Sequence, residues 1–378
     1  MLTTITARRL ITDTGEIDYP VISVEDGQIA RMEAGDANGS TETLTAAFFD
    51  IHVHGARSFD FMASDAAGIA EVGRFLVTRG VAHYLPTTVT APLDLTLKAL
   101  DRLADAIEHP AVGPAGTPVA VPVGIHLEGP FVSHGKRGVH PEASIREPSI
   151  ELFDRLQAAA RGNIRLMTLA PELPHALELI EHVTAAGVRV TMGHSAATAE
   201  ETLAAIAAGG TSSTHLFNAM RPLDHREPGI VGTVLDRADI YAEAICDGVH
   251  VHPAIIRLWL KVKGEDRAIL VTDGMSATGV PDGTYTLGDF EVVVKNGVCL
   301  SGETLAGSVL TMDQAVANVQ KFTGTSLAAA VRLASRNPAR MMGMPELSQM
   351  GVGMPANFNV FDAAGDHTGT IFCGRLVE

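Results

Sequence analysis

Residues 121–129 read VPVGIHLEG: a short apolar run that stops at a carboxylate, Glu128, followed by glycine. The same phrase recurs with a different last residue. VRVTMGHS (188–195) stops at His194, GTSSTHLFN (210–218) at His215, IYAEAICDG (240–248) at Asp247, and AILVTDG (268–274) at Asp273, while AAFFDI (46–51) runs into His52 and His54. Each run is β-rich and 4–8 residues long, and most precede a loop and a helical pattern. Leu93, Leu97, Leu100, Leu103 and Ile107 form one such helical stripe. Thr198 and Glu201 make a capping box with Gly209 at that helix's end, and Pro253 opens a helix that Gly264 stops.

Strand and helix units repeated over about three hundred residues predict an α/β fold, a (β/α)8 TIM-type barrel. A doubly wound open sheet has the same local signature. A barrel brings the C-terminal strand ends to one face, and that is where the polar residues fall.

Outside residues 49–344 the pattern changes. Residues 1–48, including YPVISVEDGQIARME (19–33) with turns at Asp26-Gly27 and Asn38-Gly39, read as hairpins. Residues 345–378 have the same β character, so the two ends are expected to pair into one small β domain beside the barrel. Residues 285–299, with Asn296-Gly297 as the turn, read as a hairpin decorating the barrel.

A net charge of −16 over 378 residues argues against nucleic acid and anionic membrane surfaces as partners. No segment is long and apolar enough for a signal core or a membrane span, which makes the cytoplasm the expected location. The three cysteines, Cys246, Cys299 and Cys373, form no metal-binding pair, so fifteen histidines shift a metal hypothesis toward imidazole and carboxylate ligands.

In a strand, residues i and i+2 share a face, roughly 6 to 7 Å apart. His52 and His54 can thus reach one ion. Glu128 on an apolar strand needs a cation to be buried at all, and with His194 and His215 it makes a three-ligand set that leaves room for water, the form of catalytic zinc sites. His126, two residues deeper, reads as a hydrogen-bonded core histidine. Asp273 is placed to take a proton from an activated water. Arg226 and His250 are the cations best placed to meet an anion in a negatively charged protein, whereas Lys136, Arg137, His134 and His225 read as solvated loop residues.

As a set, His52-x-His54, His126-Leu-Glu-Gly-Pro-Phe131, Lys136-Arg-Gly-Val-His140-Pro, Gly193-His-Ser195, Thr214-His-Leu-Phe-Asn-Ala-Met220, Arg226-Glu-Pro-Gly229, Asp247-Gly-Val-His250, Thr272-Asp-Gly and Leu305-Ala-Gly-Ser308 resemble the N-acetylglucosamine-6-phosphate deacetylase family of the amidohydrolase superfamily. The matches run from about residue 50 to Asn337-Pro338-Ala339. The resemblance implies hydrolysis of N-acetylglucosamine 6-phosphate to glucosamine 6-phosphate and acetate. It implies one or two divalent ions, zinc first and Fe2+ as the alternative: Glu128, His194 and His215 hold the main ion, and His52 and His54 build a second site sharing Glu128 and Asp273. Asp273 then serves as base and acid, and His140 polarises the carbonyl oxygen. Asn218, the Ala219 backbone, Arg226 and His250 hold the sugar phosphate, and Leu305, Ala306, Gly307 and Ser308 line the acetyl pocket. A homodimer is implied too, with Arg226 donated to the neighbouring subunit's site. The rival cyclic-amide hydrolases bridge their metals with a carboxylated mid-barrel lysine, but the only lysine between residues 100 and 190 is Lys136, in a loop. A barrel without catalysis, serving as a scaffold, is the reading from another class, and acetate release separates the two.

Overall fold

The computed structural model describes residues 2–113 and 116–377. At its centre are eight strands, β1 (Phe48–Val53), β2 (Val81–Pro86), β3 (Ile125–Glu128), β4 (Ile164–Leu169), β5 (Arg189–Met192), β6 (Ser212–Ser213), β7 (Tyr241–Ile245) and β8 (Ala268–Val271). β1 pairs with β2, and a continuous ladder runs from β3 to β8, all parallel. Parallel bridges between Thr87 and His126 and between Val53 and Gly274 join the two arcs at both ends. These closures decide for a barrel against an open sheet.

A helix follows each strand: α1 (Ala66–Thr78), α2 (Leu93–Glu108), α3 (Ile150–Ala159), α4 (Ala176–Ala185), α5 (Ala199–Ala208), α6 (Gly229–Asp236), α7 (Pro253–Arg267) and α8 (Met312–Thr323). The leucine stripe becomes the inner face of α2, with Leu100 and Leu103 fully buried. The capping box at Thr198 starts α5 and Gly209 ends it. Gly264, at φ 66° and ψ 176°, breaks α7 where the sequence places a stop, and a last turn follows it. Strands β2 and β4 are the two that the sequence reading does not single out. They end in Pro86-Thr87 and Leu169-Ala170, without a titratable residue to mark them.

Strands at Arg9–Thr12, Gly15–Asp18 and Thr43–Ala46 share one six-stranded sheet with Phe358–Phe361, His367–Phe372 and Arg375–Val377, Leu44 lying opposite Val360. A three-stranded sheet (Leu2–Thr6, Pro20–Glu25, Gln28–Ala34) faces it across a core of Leu10, Ile22, Ile29, Leu44 and Phe358. Asp26-Gly27 is the hairpin turn expected, between Glu25 and Gln28. Asn38-Gly39 is not one. The strand before it belongs to the three-stranded sheet and the strand after it to the six-stranded sheet, so this segment crosses between sheets.

The decorating hairpin is larger than the sequence suggests: four antiparallel strands, Gly283–Leu287, Phe290–Lys295, Val298–Ser301 and Thr304–Leu305. Asn296 (φ 52°) and Gly297 (φ 74°) do form its two-residue turn, with the positive φ at both positions that such turns require. Its apolar underside, Leu287, Val292, Val294 and Ala306, packs on Met275 just past β8, which sets the sheet over the barrel mouth.

Candidate active site

The strand ends bring six titratable side chains to one point. Nε2 of His52 and of His54 lie 3.3 Å apart. Glu128 Oε1 is 3.2 Å from His194 Nε2 and 3.3 Å from His215 Nε2, and those two nitrogens are 3.2 Å apart. The other oxygen, Oε2, is 3.3 Å from His54 Nε2, while Asp273 Oδ1 is 3.1 Å from His54 Nε2 and 3.4 Å from His52 Nε2. All six residues are buried.

Donors bound at about 2.0–2.2 Å to a tetrahedral ion are separated by about 3.3–3.6 Å, so this spacing is that of ligands around a metal. Two donor sets result, joined by Glu128. Backbone carbonyls fix the tautomers, because His54 Nδ1–H donates to Thr87 O (3.2 Å) and His194 Nδ1–H to Lys136 O (3.2 Å). Each Nε2 lone pair is left facing the centre. Burial would raise the pKa values of Glu128 and Asp273, but imidazoles in their protonated form, His52 foremost, outweigh it and hold both well below the carboxylate range, and a divalent cation would take over that role with the rings neutral. The chemistry of the donor set is therefore that of a divalent-metal centre.

Three of these residues have left-handed backbone, His194 (φ 49°), His215 (φ 24°) and Asp273 (φ 51°), a conformation costing about 1–3 kcal/mol per residue. Neighbouring backbone holds them there. Ser133 N–H donates to His194 O, Asn218 N–H to His215 O, Asp273 N–H to His52 O and Ser308 N–H to Asp273 O.

His140 stands beside this centre with its ring locked. Its Nδ1 accepts from the Thr90 backbone N–H (3.3 Å) and lies 2.7 Å from the Thr90 hydroxyl. Burial, aided by the adjacent His194, pushes its pKa down to about 3, so the ring is neutral. With Nδ1 an acceptor, Nε2 carries the proton and points inward, 3.7 Å from Glu128 Oε2.

The pocket over the centre has a volume of about 380 Å³, within the range of small-ligand sites. Of the residues nominated from the sequence, His54, Glu128, His140, His194, His215, Asn218, Ala219, His250, Asp273, Leu305 and Gly307 line it. Gly138 and Val139, from the loop that carries His140, line it too, as do Val89 and three residues of the four-stranded insertion that the sequence did not single out, Leu287, Glu303 and Thr304. His250 is oriented by Asp247, whose Oδ2 lies 2.6 Å from Nδ1. Burial would lower the His250 pKa, but that hydrogen bond and charge hold it above its ordinary value.

Four expected residues do not line this pocket: His52 is fully buried within the donor cluster, and three others point elsewhere. Ala306 is fully buried in the apolar underside of the insertion, and Ser308 Oγ donates to Thr272 O at 2.6 Å. Arg226 is exposed on the loop before α6, where its backbone N–H donates to Asp224 Oδ1.

Beneath the site the barrel interior is polar rather than filled with branched apolar side chains. His126 is the hydrogen-bonded core histidine expected, with Nδ1–H donating to Ile51 O (3.0 Å) and Nε2 accepting from the Thr168 hydroxyl (2.7 Å). The hydroxyls of Thr168, Thr214 and Thr191 follow at 2.9 and 3.0 Å, and Thr191 donates to Glu243 Oε1 (3.4 Å). Glu243 Oε2 accepts from His215 N–H (3.3 Å) and lies 3.7 Å from His52 Nδ1. Sequence reasoning missed Thr90 and Glu243. For Glu243 the signal was present: a charge between Ala242 and Ala244 within a buried strand.

The amidohydrolase family pattern matches residues 43–377. An N-acetylgalactosamine-6-phosphate deacetylase from Escherichia coli O157:H7 is 40% identical over 342 residues, covering 89% of both chains. An N-acetylglucosamine-6-phosphate deacetylase from Bos taurus is 39% identical over 377 residues, 96% of this chain and 89% of its own. The fold agrees as well: an N-acetyl-D-glucosamine-6-phosphate deacetylase variant from Mycobacterium smegmatis, solved with N-acetyl-D-glucosamine-6-phosphate, superposes with a TM-score of 0.92 at 33% identity, covering 99% of each chain. With the pattern, the relatives and the donor geometry in agreement, the chain belongs to the amidohydrolase family, in the branch of the N-acetylglucosamine-6-phosphate deacetylases.

Proposed function

We propose that the protein hydrolyses the acetamide of N-acetylglucosamine 6-phosphate, releasing glucosamine 6-phosphate and acetate. The observation that carries this reading is the shared carboxylate, Glu128, with both oxygens committed to imidazole donors beneath a pocket of sugar size. Glu128, His194 and His215 would hold one divalent ion. His52, His54 and Asp273 would hold a second with Glu128, and imidazole-rich donors favour zinc, with Fe2+ the alternative. Such an ion supplies an acidified water and a Lewis acid for the amide carbonyl.

The chain's own residues do the rest. Asp273, kept ionised at the pocket wall, takes the proton of the attacking water and passes it to the departing amine. His140 donates its Nε2–H to the oxygen that becomes negative in the transition state. Asn218, the Ala219 backbone and His250 hold the sugar, and Leu305 and Gly307 bound the acetyl group.

Among the described residues, none that lines the pocket is Lys or Arg. A dianionic 6-phosphate calls for one, which supports a homodimer with Arg226 reaching the neighbouring subunit's pocket. Exposed Leu203, Leu223 and Val262 lie around a groove beside the Arg226 loop and suit such an interface. Within the chain, residues 49–344 would be the hydrolase barrel, with residues 1–48 and 345–378 as its β satellite. No helix among the described residues is long and apolar enough to cross a membrane. The deciding measurement compares acetate release from N-acetylglucosamine 6-phosphate, its C4 epimer and the unphosphorylated sugar, on protein of known metal content. Equal rates with and without phosphate overturn the substrate class; preference for the epimer moves the assignment to the galacto sugar.

A further inference from the structure

The histidines of the metal centre are not anchored alike. His54 and His194 each donate Nδ1–H to a backbone carbonyl. Among the described residues neither His52 nor His215, both buried, has a hydrogen-bond partner at Nδ1, but only at His52 does a carboxylate, that of Glu243, face the atom, at 3.7 Å. Glu243 is itself fully buried, rising from β7 on the floor of the barrel. A carboxylate sequestered there needs a partner that offsets its charge. The Thr191 hydroxyl and the His215 backbone N–H occupy its oxygens but carry no charge.

We propose that Glu243 is the positioning residue of the second metal subsite: its carboxylate takes the Nδ1–H of His52 and thereby holds the His52 Nε2 lone pair toward Glu128 and Asp273. The inference rests on the two-ion reading above. His52 reaches those carboxylates with Nε2, 3.4 Å from Glu128 Oε1 and 3.4 Å from Asp273 Oδ1, so a neutral ligand ring must carry its proton on Nδ1. The edge of His126, with ring centroids 4.6 Å apart, packs against the ring and limits other orientations. A carboxylate behind a ligating imidazole both orients the ring and makes it a stronger donor. Glu243 thus favours the His52–His54 ion over the one at His194 and His215, although its backbone contact is to His215.

The test is a metal count on full-length zinc-loaded protein across a series of chelator-buffered zinc concentrations. Glu243→Gln should weaken one of two ions by about 10–100-fold and leave the other unchanged. Thr191→Val, which removes the donor on the opposite oxygen, should leave both ions in place. Unchanged affinities in Glu243→Gln, equal weakening of both ions, or the same loss in Thr191→Val would overturn the proposal. Wild-type protein that takes only one ion at saturating zinc would remove the two-ion reading, and this inference with it. Nitrogen-15 spectra of the histidine rings in zinc-loaded wild type provide a check that needs no variant. His52 must show a protonated Nδ1, and an unprotonated one refutes the contact.

Discussion

Asp273→Asn removes one charge from the site and little else, which makes it the sharpest probe of the chemistry. Asp273 has φ 51°, and asparagine tolerates the left-handed region better than most residues, so the backbone should stay as it is. The Asp273 N–H to His52 O and Ser308 N–H to Asp273 O bonds involve main chain only and survive the change. What disappears is a base held in its ionised form by the positive charge at the centre, with Oδ1 3.1 Å from His54 Nε2. A positioned base contributes about 10²–10⁴ in rate, equivalent to about 2.7–5.4 kcal/mol of transition-state stabilisation. Initial rates of acetate release over a range of N-acetylglucosamine 6-phosphate should show kcat lower by that factor and KM changed by less than about three-fold, since the sugar contacts remain. Because Asp273 also faces the second ion, metal content must be counted on the same preparation. Turnover within about three-fold of wild type, with both ions present, would refute the assignment of Asp273 as the proton carrier.

Replacing His52 and His54 together with alanine should lower the metal count while retaining the ion at Glu128, His194 and His215; loss of all metal would show that the two donor sets are not separable. His140→Ala should reduce kcat by about 10²–10³, the usual effect of losing one oxyanion donor, whereas Thr90→Val should cost about ten-fold because the backbone N–H still orients the ring. Equal losses would place the whole effect in ring orientation. Arg226→Ala, at an exposed position, should leave Tm unchanged but reduce kcat/KM for the phosphorylated sugar by about ten-fold to a few hundred-fold, with little change for the unphosphorylated one. Mixing it with Asp273→Asn chains should restore some activity if the arginine serves a neighbouring site. No recovery in dimers shown to exchange subunits would place Arg226 in its own chain's site.

The barrel was legible because six of its strands end in residues that chemistry singles out. β2 and β4 end in Thr87 and Ala170 and carry no such mark, although their apolar runs are equally buried. The proposed ligands were legible for the same reason: a histidine or carboxylate closing an apolar strand is costly unless something binds it. Residues acting through another residue were not. Thr90 is separated from His140 by fifty positions, and its hydroxyl matters only because the closed barrel brings it within 2.7 Å. Leu305 was expected through the family resemblance, but the reach of Leu287, Glu303 and Thr304 into the pocket depended on where the insertion's apolar underside docks, which no local pattern encodes. Arg226 is the converse case: its sequence context marks it as a site residue, yet within one chain it stands in solvent, and only the proposed second copy would bring it to a pocket.

The six-stranded sheet built from both ends of the chain also sets a timetable for synthesis. Thr43–Ala46 emerges early, and its partner Phe358–Phe361 is made only after the whole barrel, about 15–60 s later at ordinary translation rates. Throughout that interval one edge of Thr43–Ala46 lacks its neighbour and is free to pair with strands of other nascent chains. Every proposed metal ligand and the proposed proton carrier have left the ribosome by then, so a chain truncated before Phe358 would hold all of these residues and still be driven to aggregate by an open strand edge far from the site.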